Sequence, residues 1–103
     1  MQNKVKEFNN AKNCHKEPMP VYARLCDVQS EMGELAKEYL KATDYGTKPF
    51  AITPDFELEF GDVLYSLLSL ATETGIDANC CLDKILDKYQ KRINKNKTLG
   101  SGN

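Results

Sequence analysis

Two short acidic motifs place the strongest constraint on this chain: Glu31-Met32-Gly33-Glu34 and Glu59-Phe60-Gly61-Asp62. In each motif two carboxylates lie three residues apart, a spacing that puts both on one face of a helix. Both motifs lie in long segments with helical periodicity, so helices packed side by side would bring four carboxylates together. Two such charges about 4 Å apart repel by about 1 kcal/mol in water and about 4 kcal/mol at an effective dielectric constant of about 20. The pattern therefore predicts a cluster that needs protons or a cation.

The surrounding sequence predicts an all-α fold with four helices and no strand. Apolar spacing predicts a short first helix over residues 2–16, ended by Pro18 and Pro20, and a second helix over residues 20–42. Between the second and third helices, residues 43–53 are rich in turn formers. We expect this loop to border a site, with its apolar side chains packed down: Tyr45, Phe50 and Ile52.

The third and fourth helices have clear boundary signals. Thr53-Pro54-Asp55 is typical of a helix start and Gly75 of a helix end, which predicts a third helix over residues 54–74. Asp77 predicts the start of a fourth helix over residues 78–95.

The apolar residues predict which helix faces are buried. On the second helix, one stripe is expected to face the core: Leu25, Val28, Met32, Leu35, Ala36 and Tyr39. The apolar arc of the third helix is wide, so this helix should be central and need neighbours on more than one side. That arc predicts a homodimer, with a dimer of dimers as the alternative. Gly33 and Gly61, between the acids of the motifs, indicate either close helix approach or room for a ligand.

Composition sets the remaining bounds. The 103 residues suit one domain, expected over residues 1–97 with a disordered tail over 98–103. A net charge of −1 gives no reason to expect nucleic acid as a partner. No apolar segment is long enough to span a membrane, and the N-terminal residues do not resemble a signal peptide, so a cytoplasmic location is expected.

The four cysteines do not form a recognisable metal or disulfide pattern. Cys14, Cys26, Cys80 and Cys81 contain no Cys-x-x-Cys pair, so free thiols are the favoured interpretation. A zinc site that includes Cys14 and His15 is the alternative. His15 is otherwise interpreted as a surface residue, with a substrate contact as its second possible role.

The oxygen ligands of the acidic motifs favour a hard cation. Carboxylates select Mg²⁺, with Mn²⁺ as a possible substitute, over zinc. A solvated acidic face is the ordinary alternative. This alternative suits the third helix poorly, because that helix has too few polar residues besides Glu59 and Asp62 to form a solvated face.

The two motifs, with 24 residues between them, and the following Gly75-Ile76-Asp77 resemble the MazG-like family of nucleoside triphosphate pyrophosphohydrolases. The signature of that family is Glu-x-x-Glu followed by Glu-x-x-Asp. The similarity covers roughly residues 20–93 and includes Lys88-Tyr89-Gln90-Lys91-Arg92. It implies a helical bundle completed by a second subunit, and Mg²⁺-dependent cleavage of nucleoside triphosphates between the α- and β-phosphates to give a monophosphate and pyrophosphate.

The resemblance also implies roles for individual residues. The acids that match the metal ligands are Glu31, Glu34, Glu59 and Asp62. Glu34 or Glu38 is the candidate general base that takes a proton from the attacking water. The candidate phosphate contacts are Lys88, Lys91 and Arg92. Tyr65, or an aromatic residue from Tyr45 to Phe50, is a candidate for stacking on a nucleobase, with ordinary packing as the alternative role.

Two other functions remain open from the sequence. One is hydrolysis of a nucleotide conjugate such as phosphoribosyl-ATP. The other is a helical interaction module that keeps the fold without catalysis, although acidic residues at all four ligand positions give that hypothesis no support.

Overall fold

The computed structural model describes residues 1–12 and 19–98, which form four α-helices and contain no strand. The helices are α1 Gln2–Lys12, α2 Val21–Ala42, α3 Pro54–Thr74 and α4 Ala78–Thr98. The all-α prediction is confirmed. The end of the predicted first helix beyond Lys12, with Cys14 and His15, lies outside the described residues, as does the predicted tail from residue 99 onward. Thr98, assigned to that tail, belongs to α4.

The boundary signals of α3 work as predicted. The Phe56 amide donates to Thr53 Oγ1 at 3.1 Å, so Thr53 caps the helix, and Pro54 occupies its first turn. Gly75 ends the helix in the left-handed region with a φ of 74°. The amide of the next residue, Ile76, donates to the carbonyl of Ala71 at 2.8 Å, which satisfies a carbonyl of the last turn.

Helices α2 and α3 form an antiparallel hairpin. Arg24, early in α2, pairs with Glu73, late in α3, while the aromatic contacts from Tyr39 through Phe50 to Phe56 join the end of α2 to the start of α3. Helix α1 also packs against α3, where Asn9 Nδ2 donates to Ser69 Oγ at 3.0 Å. The prediction that α3 is central is therefore confirmed.

The buried core of this single chain is small. Among the described residues, only Leu68 and Ala71 are buried apolar side chains, at 7% and 9% exposure. The predicted apolar stripe of α2 is in place but open, with Leu25, Met32 and Tyr39 between 47% and 53% exposed. The expectation that this face is buried is wrong for the described residues of the single chain, where α3 packs along α2 and leaves these three side chains about half exposed.

Helix α4 extends away from the other three. It begins as predicted after Asp77, whose carboxylate accepts from the Cys80 amide at 3.0 Å. No residue from Ala78 to Lys97 is buried. The Cα radius of gyration is 18.1 Å, whereas a compact domain of this length has about 13 Å. The fold is thus a three-helix body with a projecting fourth helix.

The loop between α2 and α3 packs less than predicted. Phe50 does pack, against the rings of Tyr39 and Phe56 at centroid distances of 5.1 and 5.0 Å. Tyr45 and Ile52 are instead 75% and 66% exposed, so their predicted packing is wrong in the single chain. Tyr45 lies in a tight turn with a positive φ of 56°, and its amide donates to the carbonyl of Leu40 at 2.7 Å. None of the described helices is long and apolar enough to cross a membrane.

Candidate metal centre

Three carboxylates from two helices converge near the middle of the α2–α3 hairpin. Glu31 of α2 and Glu59 and Asp62 of α3 each place a carboxylate oxygen within 4.8 Å of the other two. The antiparallel packing brings the first acidic motif opposite the second, and the three-residue spacing keeps Glu59 and Asp62 on one face of α3. We call these three residues the acidic cluster.

The electrostatics of the acidic cluster are unfavourable without a counter-charge. Glu31 and Glu59 are partly buried, and Asp62 is exposed. Partial burial raises the pKa of the Glu59 carboxyl, and the nearby charges of Asp62, Glu31, Glu34 and Glu38 raise it further. The cluster therefore favours a proton or a cation at its centre.

Glu34, the fourth predicted ligand, is not among the three that lie within 4.8 Å of one another. It lies one turn after Glu31 on α2 and is half exposed, with a carboxylate oxygen 3.9 Å from Lys37 Nζ. This is a weak exposed ion pair that constrains the side chain little. The role of Glu34 as a ligand stays a prediction.

Glu38 lies one further turn along α2 and is held by a cation. Its side chain is 14% exposed, and the Lys41 ammonium donates to it at 3.2 Å. That hydrogen bond and the charge of Glu38 raise the pKa of the Lys41 ammonium. Lys41 thus orients the Glu38 carboxylate and occupies one of its oxygens.

The glycines of the two motifs leave space beside the acids. A Cβ atom built on Gly33 or Gly61 would meet no atom within 4 Å. The prediction of close helix approach at these positions is therefore wrong in the single chain, because α2 and α3 contact through other residues. Room for a ligand remains the interpretation that fits.

The predicted phosphate contacts lie on α4. Lys88, Lys91 and Arg92 are all exposed; Lys91 pairs with Asp87 at 3.0 Å, and the Arg92 guanidinium lies 5.7 Å from the ring centroid of Tyr89. Because α4 does not pack along α2 or α3, this chain does not bring these cations to its own acidic cluster. Their contact with phosphates stays a prediction.

Tyr65 lies in the interface between α1 and α3. Its ring meets that of Phe8 edge-on at a centroid distance of 6.0 Å, and its hydroxyl donates to Asn9 Oδ1. These contacts support the alternative packing role. Base stacking by Tyr65 remains untested.

Two buried polar residues that connect helices were not predicted. Asn9, 6% exposed, joins Tyr65 to Ser69, and Arg24, 4% exposed, pairs with Glu73 at 3.4 Å. On the helical wheel of α3, Ser69 and Glu73 fall in the same polar strip as Glu59 and Asp62. That strip was the available signal, because a polar strip on a central helix needs polar partners.

The donor set fits a hard divalent cation. Two oxygens bound to the same ion at about 2.1 Å are at most about 4.2 Å apart. Oxygens within 4.8 Å of one another therefore need only small side-chain rotations to share an ion. Within residues 1–12 and 19–98, no cysteine joins this group, and Cys26, Cys80 and Cys81 are free and exposed. The zinc alternative involves Cys14 and His15, which are outside the described residues.

Comparison with known proteins finds a distant relative. The chain is 37% identical over 78 residues to the uncharacterised protein YpjD of Bacillus subtilis (strain 168). The matched segment spans 73% of this chain and 66% of the relative, just under two thirds of its length. No family model and no solved structure matches the chain significantly. The relative supports homology and carries no statement of activity.

Proposed function

We propose that the protein is a nucleoside triphosphate pyrophosphohydrolase that depends on Mg²⁺, with Mn²⁺ as a possible substitute. In this reaction water attacks the α-phosphorus and the bond to the β-phosphate oxygen breaks, which gives a nucleoside monophosphate and pyrophosphate. The observation that carries the proposal is the convergence of Glu31, Glu59 and Asp62 from the consecutive helices α2 and α3. The order and spacing of the two acidic motifs resemble those of the MazG-like family, and this resemblance is the reason for proposing this particular reaction.

The acidic cluster would hold the cation. Glu31, Glu59 and Asp62 each place a carboxylate oxygen close to the other two. Glu34 is near enough for its charge to raise the pKa of Glu59. An ion held there would neutralise charge on the triphosphate and would polarise its α-phosphoryl group. The open space beside Gly33 and Gly61 leaves room for the phosphates at this face of the hairpin.

Between the two candidate bases, the contacts favour Glu34. A general base must be free to accept a proton from the attacking water. Glu38 already accepts a hydrogen bond from Lys41 at 3.2 Å, while the nearest ammonium to Glu34 is 3.9 Å away and exposed. We therefore assign the proton transfer to Glu34, while Glu38 stays paired with Lys41.

A nucleotide panel with and without Mg²⁺ tests the proposal. We expect monophosphate and pyrophosphate only when the ion is present; release of orthophosphate alone would contradict the assignment. Glu59→Gln should lower the rate by at least about 100-fold, because it removes charge at the centre of the site. Glu57→Gln is the matched control, since Glu57 is exposed, lies on the same helix and is outside the cluster.

The same panel separates the other two hypotheses. Including phosphoribosyl-ATP distinguishes an enzyme that acts on a nucleotide conjugate from one that acts on free nucleotides. If no substrate is cleaved and Glu59→Gln leaves metal affinity unchanged, the helical interaction module is the better explanation.

A further inference from the structure

We propose that Lys41, near the end of α2, is the hairpin's own contact for the terminal phosphates of the substrate and that Glu38 holds it in place. This assignment rests on the proposed function, because it takes the acidic cluster as the place where the α-phosphate lies. It also gives the substrate a direction. The departing pyrophosphate would lie along α2 toward the loop that joins α2 to α3.

The charge of the site calls for a cation from the protein. The three residues of the acidic cluster and the next two acids of α2, Glu34 and Glu38, make a group of five carboxyl groups. One divalent ion offsets at most two such charges, and the phosphates of a nucleotide add more negative charge. Like charges at this density repel strongly unless a cation lies close to them. The phosphates therefore need a positive side chain beside the acidic cluster.

The basic residues of the hairpin helices indicate on which side of the cluster this contact lies. Helix α3 has no basic residue, and α2 has three. Arg24 is buried in its ion pair near the opposite end of the hairpin. Lys37 and Lys41 remain, with side chains 67% and 63% exposed. Both follow Glu31 along α2, so the available cations lie on the side of the cluster toward the loop.

Helical geometry favours Lys41 over Lys37. On a wheel of about 100° per residue, Lys41 lies about 80° from Glu31, and Lys37 lies about 120° from it on the same side. Lys41 also follows Glu34 by seven residues, so the two side chains leave α2 on one stripe, two turns apart. Lys41 is therefore the cation that is better aligned with the acids of α2.

The ammonium of Lys41 lies among acids of both helices. Its Nζ atom is 3.2 Å from the carboxylate of Glu38. The pKa of this ammonium is raised first by that hydrogen bond and by the charge of Glu38, and further by the charges of Asp55 on α3 and Glu34 on α2. Lys41 therefore stays charged at neutral pH and lies on the side of α2 that faces α3.

The pair with Glu38 leaves Lys41 able to bind a phosphate. An ammonium group has three N–H donors, and one of them is used on Glu38. The Glu38 side chain is 14% exposed and that of Lys41 is 63% exposed, so the buried carboxylate anchors the pair while the ammonium remains open to solvent. Glu38 is thus a positioning residue that acts through Lys41.

Binding of inorganic tripolyphosphate and pyrophosphate at saturating Mn²⁺, measured by titration calorimetry, tests the contact without regard to base preference. Lys41→Met should weaken both by about 10–100-fold, because it removes a hydrogen bond between charged groups. Lys41→Arg keeps the charge and should retain most of the affinity. Lys37→Met and Lys48→Met remove exposed cations of the same region and should change the affinity by less than about 5-fold. Circular dichroism checks that every variant stays helical.

Two variants of Glu38 separate a phosphate contact from simple neutralisation of that acid. Glu38→Gln keeps an acceptor for Lys41 and removes a negative charge, so polyphosphate affinity should be equal to or higher than in the wild type. Combined with Lys41→Met, it should leave the affinity as low as in Lys41→Met alone. A double variant that regains wild-type affinity would refute the contact, because Lys41 would then serve only to neutralise Glu38.

The proposed direction predicts which reaction product is affected. In assays of nucleotide hydrolysis, Lys41→Met should raise the inhibition constant of pyrophosphate by about 10–100-fold and leave that of the nucleoside monophosphate unchanged. An equal effect on both products, or an effect on the monophosphate alone, would overturn the direction.

Binding and hydrolysis can fail separately. If the wild type hydrolyses nucleotides and Lys41→Met binds polyphosphate no more weakly than Lys37→Met does, the contact is overturned and the proposed function stands. If the wild type binds tripolyphosphate through Lys41 but hydrolyses no nucleotide, the proposed function alone is overturned. A wild type that binds no tripolyphosphate at saturating Mn²⁺ overturns the contact.

Discussion

The ion pair between Arg24 and Glu73 provides a quantitative test of how the hairpin is held together. Their side chains are 5% and 19% exposed, and Arg24 Nη2 lies 3.4 Å from Glu73 Oε1. The Nε atom of Arg24 is buried without a hydrogen-bond partner. Breaking a buried pair by removing one partner costs about 3–5 kcal/mol, because the other charge is left without compensation.

The unequal burial of the two partners predicts unequal costs. Glu73→Leu leaves the more deeply buried Arg24 unpaired, so it should lower the free energy of unfolding by about 3–4 kcal/mol. Arg24→Met leaves Glu73, which retains access to water, and also removes an unsatisfied donor, so its cost should be about 2–3 kcal/mol. The double variant places two apolar side chains in contact, so its free energy of unfolding should return most of the way to the wild-type value.

Urea unfolding followed by circular dichroism, at one fixed chain concentration and without divalent metal, measures all three variants. In a chain of this length, about 1 kcal/mol corresponds to a shift of the midpoint temperature of about 4–5 °C, which gives a thermal cross-check. A larger cost for Arg24→Met than for Glu73→Leu, or a double variant as unstable as the sum of the single ones, would refute the reasoning.

Three further predictions concern pH, capping and the motif glycines. The pKa of Glu59 is raised in the folded chain, so its protonated form stabilises the fold. This stabilisation is complete below the pKa that the carboxyl has in the unfolded chain, and it is lost as pH rises through the pKa in the folded chain. Across that pH range the metal-free wild type should therefore lose more stability than Glu59→Gln. Parallel pH profiles of stability for the two proteins would contradict this prediction. Thr53→Ala removes the acceptor of the Phe56 amide and should cost about 1 kcal/mol in thermal unfolding, while Thr47→Ala, whose hydroxyl makes an exposed loop bond, should cost less. Gly61→Ala should stabilise α3 by up to about 1 kcal/mol, because its Cβ meets no atom of this chain, and a loss of stability would place another chain against that position.

The sequence predicted the helices well where local chemistry determines them. The cap at Thr53, the proline after it and the left-handed Gly75 are short-range signals, and all three act as expected. The convergence of Glu31 with Glu59 and Asp62 also followed from local spacing, together with the single assumption that consecutive helices pack side by side.

The sequence could not show which apolar faces a single chain covers. Met32 and Leu86 have the spacing of core residues, yet they are 49% and 53% exposed in the described part of the chain. Gln2 Nε2 donates to the carbonyl of Ile76 and Gln2 Oε1 accepts from the amide of Ala78, so these bonds join the α3–α4 turn to a residue more than seventy positions away. No local pattern predicts such a contact.

Direct measurement of divalent-metal binding tests the central claim, that the acidic cluster binds a cation. Thermal unfolding should be followed against rising Mn²⁺ or Mg²⁺ without nucleotide, at constant ionic strength. At about 100 times the dissociation constant the ion should add about 2.7 kcal/mol, or about 11–13 °C, to the wild type and to Glu57→Gln. Glu59→Gln should show little or no shift. The same metal-dependent shift in Glu59→Gln as in the wild type, or no shift in either, would contradict the account.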